Sequence, residues 1–204
     1  QTITLDAWEQ KMSLAAEHSM ANYAFYLGAT NDNLSELLNA DYRRIPAVKL
    51  FMGASTGNML VDESSALKEL FSSIKAIIAV HAESENIIRQ NKERYMTQAG
   101  IELPIRYHSL IRDAEACYRS SAQAVEWASK YGSRLHILHL STQRELSLLK
   151  DLALEEKKIT AEVCVHHMWF DDRDYERLGA AIKWNPSVKQ ETDKLALRAA
   201  LNSN

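Results

Sequence analysis

Short apolar runs alternate along the chain with segments whose apolar residues recur every three or four positions. The runs are rich in branched and aromatic residues, which is typical of strands, and the periodic segments are typical of amphipathic helices. Strands that alternate with helices predict a parallel sheet with crossover helices. The predicted strands are Asn22–Thr30, Ala47–Gly57 (which runs into a glycine and hydroxyl turn), Lys75–Glu83, Arg134–Thr142 and Ile159–His167, with a short extended piece at Ala180–Pro186.

Helix boundaries are indicated by capping residues. Thr4 is placed to cap a first helix, and the helix that ends near residue 131 is followed by Gly132, the residue type favoured just past a helix end. Pro104 interrupts the long polar and helical segment that begins at Ser84. The other predicted helices are Asn31–Asn39, a helix opened by Asp62 through Phe71, Ala114–Tyr131, and Gln143–Glu156 behind a Ser141–Thr142 cap.

The turns after the predicted strands narrow the fold class. None carries the glycine-rich phosphate-binding pattern of dinucleotide or P-loop proteins. This favours a (β/α)8 barrel over a doubly wound nucleotide fold. With 204 residues, the chain is predicted to form a single domain over residues 1–204.

Composition and charge exclude several function classes. Apolar residues make up 46% and charged residues 25%, as in ordinary soluble proteins. A net charge of −3, without a basic stripe interleaved with aromatics, argues against nucleic-acid binding. No apolar run reaches the length of a membrane span, and no signal peptide is visible. Cys117 and Cys164 form neither a metal pair nor a disulfide framework, which predicts a reduced, cytoplasmic setting and a simple core role for Cys164.

Four polar residues lie near the carboxyl ends of successive predicted strands: Lys49, His81, His139 and Glu162. In a barrel these ends converge on one mouth, where such enzymes carry their active sites. Alternation along each strand predicts that His139 shares a face with Leu135 and Ile137, and that Glu162 shares one with Cys164 and His166. His136 is then expected on the opposite face, under the helices.

The residue types suggest a metal site, and a structural interpretation stays open beside it. Neutral imidazole and carboxylate are ligands that zinc prefers. An ammonium has no lone pair, whereas a lysine carboxylated by carbon dioxide could bridge two cations. Alternatively, Lys49 extends to the surface and the histidines are hydrogen-bonded residues of the core.

Five segments carry a specific combination of residues: Val48–Gly53, Val80–Glu83, Leu138–Ser141, Ala161–Val163 followed by His166 and His167, and Lys183–Pro186. Together they resemble the dihydroorotases of the amidohydrolase superfamily. The resemblance covers essentially the whole chain and implies a partial (β/α)8 TIM barrel of the metal-dependent hydrolase type, roughly its strands three to seven.

The resemblance assigns a role to each site residue. It implies that Lys49 is a carboxylated lysine bridging two zinc ions, and that His81 and His139 bind the second, more buried zinc. Glu162 aligns with an acidic position that holds an additional metal in some members. Alternatively, Glu162 supports the metal ligands without binding a metal itself. Asn185 would bind the substrate. His166 and His167 would support the ligands without touching the metals.

Several features of the family are missing from the sequence. These are a His-x-His pair on the first strand, a substrate-binding arginine nearby, and an aspartate on the last strand that acts as ligand and general base. The chain also begins directly before a helix start and ends in a helical pattern, which predicts an internal piece of a longer protein. An opened barrel exposes two sheet edges, so we expect the isolated chain to be marginally stable unless it pairs with a second copy or with the missing segment. Because the first zinc lacks most of its ligands, we expect the isolated chain to be inactive.

For the parent protein, the resemblance implies reversible hydrolysis of dihydroorotate to N-carbamoyl-L-aspartate in pyrimidine biosynthesis. Two alternatives stay open. One is a hydantoinase or allantoinase type of cyclic amidase, and the other is a non-catalytic dihydroorotase-like protein that serves as a structural partner.

Overall fold

Five parallel strands form the centre of the protein, as the alternation of strands and helices predicts. The computed structural model describes residues 1–53, 59–100 and 102–202. The strands lie in the order β1-β2-β3-β4-β5, and every neighbouring pair is parallel. The strands are β1 (Leu27–Gly28), β2 (Ala47–Phe51), β3 (Ile77–His81), β4 (Arg134–Ile137) and β5 (Ile159–Ala161).

Helices connect the strands and cover one face of the sheet. Within the described part of the chain, none of them has the length and apolar character needed to cross a membrane. Short 3-10 segments lie at Leu154–Glu156, Asp172–Asp174 and Gly179–Ile182. The α-helices are α1 (Leu5–His18), α2 (Leu34–Leu38), α3 (Ser64–Ser73), α4 (Glu85–Ala99), α5 (Tyr107–Ile111), α6 (Ala114–Tyr131), α7 (Gln143–Leu146), α8 (Val165–Trp169), α9 (Tyr175–Leu178) and α10 (Glu191–Asn202).

Three of the predicted helix boundaries are confirmed by their capping contacts. The Thr4 hydroxyl accepts a hydrogen bond from the Ala7 amide at 3.2 Å, and the Thr142 hydroxyl accepts one from the Glu145 amide at 3.2 Å. Gly132 ends α6 with φ +70°, a left-handed conformation that glycine adopts without the steric cost of a Cβ.

The two faces of the sheet differ in character. On the helix-covered face, alternate strand residues lie in the main hydrophobic core. On the other face, the register places four residues in one row across four strands, because cross-strand partners point to the same side. The core residues are Val48, Leu50, Ile78, Val80, Leu135 and Ile137, and the row on the opposite face is Lys49, Ala79, His136 and Thr160.

Three predicted strands are much shorter than expected, and one of them is the predicted 134–142 strand, which ends at Ile137. Only Leu27–Gly28 of the predicted 22–30 strand pairs with β2. The predicted 159–167 strand ends at Ala161, because its partner β4 ends at the paired residue Ile137. Residues 165–169 form α8 instead, so the prediction that Glu162, Cys164 and His166 share one strand face is wrong.

Other boundaries also differ from the prediction. The predicted 143–156 helix stops at Leu146, and the Ser147 hydroxyl donates to the Arg144 carbonyl at 2.8 Å, a local bond that competes with helix continuation. Helix α3 begins after Glu63 rather than Asp62. The predicted extended piece at 180–186 starts as a 3-10 turn. The predicted turn at 54–57 lies outside the described residues.

Candidate metal centre

Two buried or half-buried imidazoles meet beyond the ends of β3 and β4. The Nδ1 atom of His81 lies 3.1 Å from Nε2 of His139, and their rings are nearly perpendicular with centroids 4.9 Å apart. His81 is the last residue of β3, and His139 follows β4 by two residues. The structure therefore brings together two of the predicted ligands.

The backbone at His139 explains this meeting and corrects the predicted faces. Ile137 lies in the helix-side core, so strand alternation alone would place His139 on that side too. His139 instead has φ +45°, outside the regular strand, and its ring contacts His81. The prediction for His136 is also wrong, because its register with Ala79 places it on the Lys49 face.

A buried carboxylate fixes the orientation of His81. Glu83 is fully buried, and its Oε2 lies 3.0 Å from His81 Nε2. Arg112 forms an ion pair with the same oxygen. Burial alone would raise the pKa of Glu83, but the His81 hydrogen bond and the Arg112 charge hold that pKa below its usual value. The ionised Glu83 accepts the Nε2 proton of His81, which leaves Nδ1 facing His139.

Gly53 allows the segment that follows β2 to approach Glu83 closely. A Cβ at this position would lie 1.8 Å from the Glu83 carbonyl oxygen. The glycine in the Val48–Gly53 segment is thus required by backbone packing against the residue that holds His81.

Lys49 lies on the same face, in an environment unusual for an ammonium. Its Nζ is 4.1 Å from the centroid of the Phe51 ring, and that ring lies 5.7 Å from the ring of His81. Among the described residues, the Lys49 side chain forms no hydrogen bond or ion pair. Burial lowers the pKa of Lys49 to about 7, against a smaller opposing effect of the Glu162 charge. This amine is therefore uncharged at a lower pH than the amine of an exposed lysine.

His139 is neutral at physiological pH. Burial lowers its pKa to about 3, and the nearby charges of His81, Lys49 and His167 act in the same direction. Its Nδ1 is buried without a hydrogen-bond partner in the described part of the chain. The ring therefore presents an uncharged donor nitrogen to His81.

Glu162 lies on the Lys49 face but contacts a different histidine. Its Oε2 is 3.4 Å from Nε2 of His136, and the side chain is half exposed. The other ring nitrogen of His136 lies 2.8 Å from the Thr160 hydroxyl. Glu162 thus influences Lys49 through charge and His136 through contact.

The remaining predicted residues lie around α8 and the segment that follows α9. His167 is buried and donates from Nε2 to the Pro186 carbonyl at 3.0 Å. His166 stacks on Trp184, with ring centroids 4.2 Å apart. Asn185 is exposed, next to Pro186. His167 is close enough to His139 for its charge to affect that residue's pKa.

The His81–His139 pair fits a divalent metal ion. Two imidazole nitrogens that bind one tetrahedral zinc are separated by roughly 3.3 Å, given Zn–N distances of about 2.0–2.1 Å. The observed separation is 3.1 Å. Metal-binding histidines commonly donate their second N–H to a carboxylate, which is the arrangement of His81 and Glu83. The residues present are therefore suited to hold such an ion.

Sequence reasoning missed Glu83 and Arg112 as parts of the site. Glu83 follows His81 by two residues, and this spacing was an available signal because strand residues two apart share a face. Arg112 comes from the end of α5, 29 residues further along the chain than Glu83. No local pattern in the sequence indicates that contact.

Comparisons with known proteins agree with the predicted resemblance. The chain is 32% identical over 207 residues to a dihydroorotase of Methanosarcina mazei, covering 96% of this chain and 44% of the relative. It is 26% identical over 204 residues to an allantoinase of Bacillus velezensis, covering 98% and 44%. No protein-family model matches the chain.

A solved structure supports the fold assignment. The L-hydantoinase (dihydropyrimidinase) from Arthrobacter aurescens superposes with a TM-score of 0.85 at 25% identity, over 96% of this chain and 44% of that protein. The predicted resemblance and the α/β, partial TIM-barrel fold are confirmed. The chain spans about 44% of the length of these relatives.

Proposed function

We propose that the protein to which this chain belongs is a metal-dependent hydrolase of cyclic amides, and specifically a dihydroorotase. The observation that carries this proposal is the pair His81 Nδ1 and His139 Nε2, 3.1 Å apart, with His81 held by the buried Glu83. Similarity to proteins named dihydroorotase and allantoinase supports the reaction class. Zinc is the proposed metal, with two ions per intact site.

In this proposal the chain provides part of the metal centre. His81 and His139 would hold the more buried ion, and Lys49 would bridge both ions as a carbamate. Glu162 would support Lys49 or hold an additional ion, and His166 and His167 would support the ligands. When bound, divalent ions supply activation of water at neutral pH and polarisation of a carbonyl oxygen.

The protein's own residues prepare this site. Glu83 holds the proton of His81 on Nε2, so that Nδ1 presents its lone pair. Burial keeps His139 uncharged, as a ligand nitrogen must be. The uncharged Lys49 amine would add to the carbon of carbon dioxide, so that an N–C bond forms, one C=O π pair moves onto oxygen and one proton is released to solvent. This addition would convert a neutral amine into a carbamate anion.

The choice of dihydroorotate as the substrate rests on a small difference in sequence identity between two groups of relatives. Two relatives named dihydroorotase are 32% identical to the chain, other dihydroorotases are 25–28% identical, and relatives named allantoinase are 25–26% identical. We therefore propose dihydroorotate and N-carbamoyl-L-aspartate as substrates, with Asn185 in substrate binding and the enzyme acting in cytoplasmic pyrimidine biosynthesis.

The test is substrate profiling of the full-length parent protein. We expect kcat/KM to be highest for dihydroorotate and N-carbamoyl-L-aspartate, and lower for hydantoin and allantoin, with zinc restored after chelation. His81→Ala should abolish turnover, whereas His18→Ala, an exposed histidine on α1, should retain it. A preference for hydantoin or allantoin would replace the dihydroorotase assignment. Absence of turnover on all three substrates would favour a non-catalytic structural partner.

The isolated 204-residue chain is proposed to be inactive. The resemblance implies that a His-x-His pair and a general-base aspartate are needed, and neither lies on these strands. The open sheet also leaves β1 and β5 as edges, which favours pairing with a second copy. Turnover by the isolated chain at the level of the intact enzyme would contradict this proposal.

A further inference from the structure

Three side chains able to bind a metal meet at the beginning of α8, separate from the His81–His139 pair. Cys164 immediately precedes this helix, and His166 and His167 lie in its first turn. One ligand atom from each of the three residues lies within 4.8 Å of the others. The thiol is free, because neither cysteine forms a disulfide.

His167 has one committed nitrogen and one unpaired nitrogen. Its Nε2 lies 3.0 Å from the Pro186 carbonyl oxygen, so Nε2 carries the proton. Its Nδ1 has no hydrogen-bond partner among the described residues. This atom is buried, and the whole residue is only 3% exposed. A buried polar atom without a partner is costly. A cation bound by the Nδ1 lone pair would remove that cost.

The neighbouring contacts hold both rings in place. His166 stacks on Trp184 at an interplanar angle of 17°, and the hydrogen bond to Pro186 fixes the ring of His167. Burial lowers the pKa of His166 and brings that of His167 to about 4. Both rings are therefore uncharged at neutral pH, which is the form that binds metals.

We propose that Cys164, His166 and His167 bind one zinc-class divalent ion through a thiolate and two imidazole nitrogens. This donor set suits zinc, and three protein ligands leave a fourth position for water or an external ligand. In a tetrahedral zinc site the ligand atoms lie roughly 3.3–3.6 Å apart. The ligand atoms lie within 4.8 Å of one another, so a small rotation of the half-buried Cys164 side chain is needed to bring its sulfur to this distance.

The ion would connect two parts of the fold. Cys164 follows β5, while Trp184 and Pro186 belong to the segment between α9 and α10. Through His166 and His167 the ion would fasten these parts together at the carboxyl end of β5. This inference also changes the expected role of Cys164, which is a half-buried residue at a helix start rather than a simple core residue.

Cobalt absorption tests the site directly. Cobalt bound to a thiolate gives a sulfur-to-metal charge-transfer band in the near ultraviolet, and a site of lysine and histidines contains no sulfur. The band thus reports on this cluster whether or not the His81–His139 pair is occupied. We expect titration of the reduced, metal-stripped chain with Co²⁺ to produce the band with one sulfur-bound ion per chain, and Zn²⁺ to displace it.

Substitutions complete the test. Cys164→Ser should abolish the band, and Cys117→Ser, at the other cysteine, should keep it. His167→Ala and the half-exposed His166→Asn should each weaken binding by more than about tenfold, the smallest cost typical of losing even a supporting hydrogen bond at a metal site. His18→Ala and His139→Ala should not change the charge-transfer band. A band that is absent from the unsubstituted chain, or that persists in Cys164→Ser, would overturn the proposal.

Discussion

The Nε2 atom of His81 lies 3.0 Å from Oε2 of Glu83, two residues further along the chain, and both side chains are buried. This carboxylate decides which nitrogen of His81 carries the proton. Arg112 pairs with the same oxygen and keeps Glu83 ionised. The orientation of the proposed ligand therefore depends on a residue that does not touch the metal.

Replacing Glu83 should weaken metal binding without removing a ligand. In Glu83→Gln the neutral amide no longer holds the His81 proton as firmly and leaves Arg112 without its anion. We expect zinc affinity at the His81–His139 pair to fall by about 10- to 100-fold. Competition with a chromophoric chelator measures this, and Glu126→Gln on the exposed face of α6 is the matched control. Equal affinities for the two variants would contradict the role given to Glu83.

The left-handed backbone of His139 predicts that its replacement by glycine is tolerated by the fold but removes zinc binding. A left-handed conformation costs a non-glycine residue about 1–2 kcal/mol, and glycine adopts it freely. The urea concentration at the midpoint of unfolding should therefore be at least as high for His139→Gly as for His139→Ala. Both variants should lose zinc at the His81–His139 pair. If His139→Gly were the less stable of the two, the backbone at this position would not be strained.

Lys49 should react with carbon dioxide near neutral pH. Its pKa of about 7, lowered by burial, means that the uncharged amine dominates above pH 7 rather than above its ordinary value of 10.5. In zinc-loaded protein with ¹³C-bicarbonate, we expect a carbamate signal in the NMR spectrum that grows as pH rises through 7. Lys49→Arg should abolish this signal, and Lys68→Arg on the exposed face of α3 should preserve it. A signal unchanged by Lys49→Arg would assign the carbamate to another amine.

Two adjacent aspartates should affect stability in opposite directions. Asp171 accepts hydrogen bonds from the Arg173 side chain and from Lys194, which hold its pKa well below the ordinary 3.8 despite an opposing effect of burial. The stability it contributes is present above pH 3.8 and is lost as the pH falls further. Burial and the Asp171 charge instead raise the pKa of Asp172.

Asp171→Asn should therefore lower the free energy of unfolding at pH 7 by about 1–3 kcal/mol, and by less at pH 3. Asp172→Asn should leave stability at pH 7 unchanged or slightly higher, because it removes a charge that the fold disfavours. Urea denaturation of both variants at the two pH values measures these differences. A larger loss at pH 7 from Asp172→Asn than from Asp171→Asn would contradict this assignment.

The sequence predicted the elements that depend on local chemistry. Thr4, Thr142 and Gly132 mark helix ends because their capping preferences act over only a few residues. Lys49 and His81 were placed correctly on one face, since both lie within regular strands whose side chains alternate. The order of strands and helices was enough to indicate the parallel sheet.

The faces of His136 and His139 could not be predicted in the same way. The alternation rule assumes a continuous strand, but β4 ends at Ile137 and a single left-handed residue redirects the His139 ring. Likewise, His166 and His167 were placed on a strand that ends at Ala161 when its partner ends. Such events depend on pairing between distant segments, which the local pattern of residues does not contain.

The most direct test of the metal centre is anomalous diffraction at the zinc edge from crystals of the zinc-loaded protein. The account predicts a peak within about 2.0–2.1 Å of both His81 Nδ1 and His139 Nε2, on the side of the sheet that carries Lys49. A crystal structure at saturating zinc in which these two nitrogens remain in direct hydrogen-bond contact, with no anomalous peak between them, would contradict it.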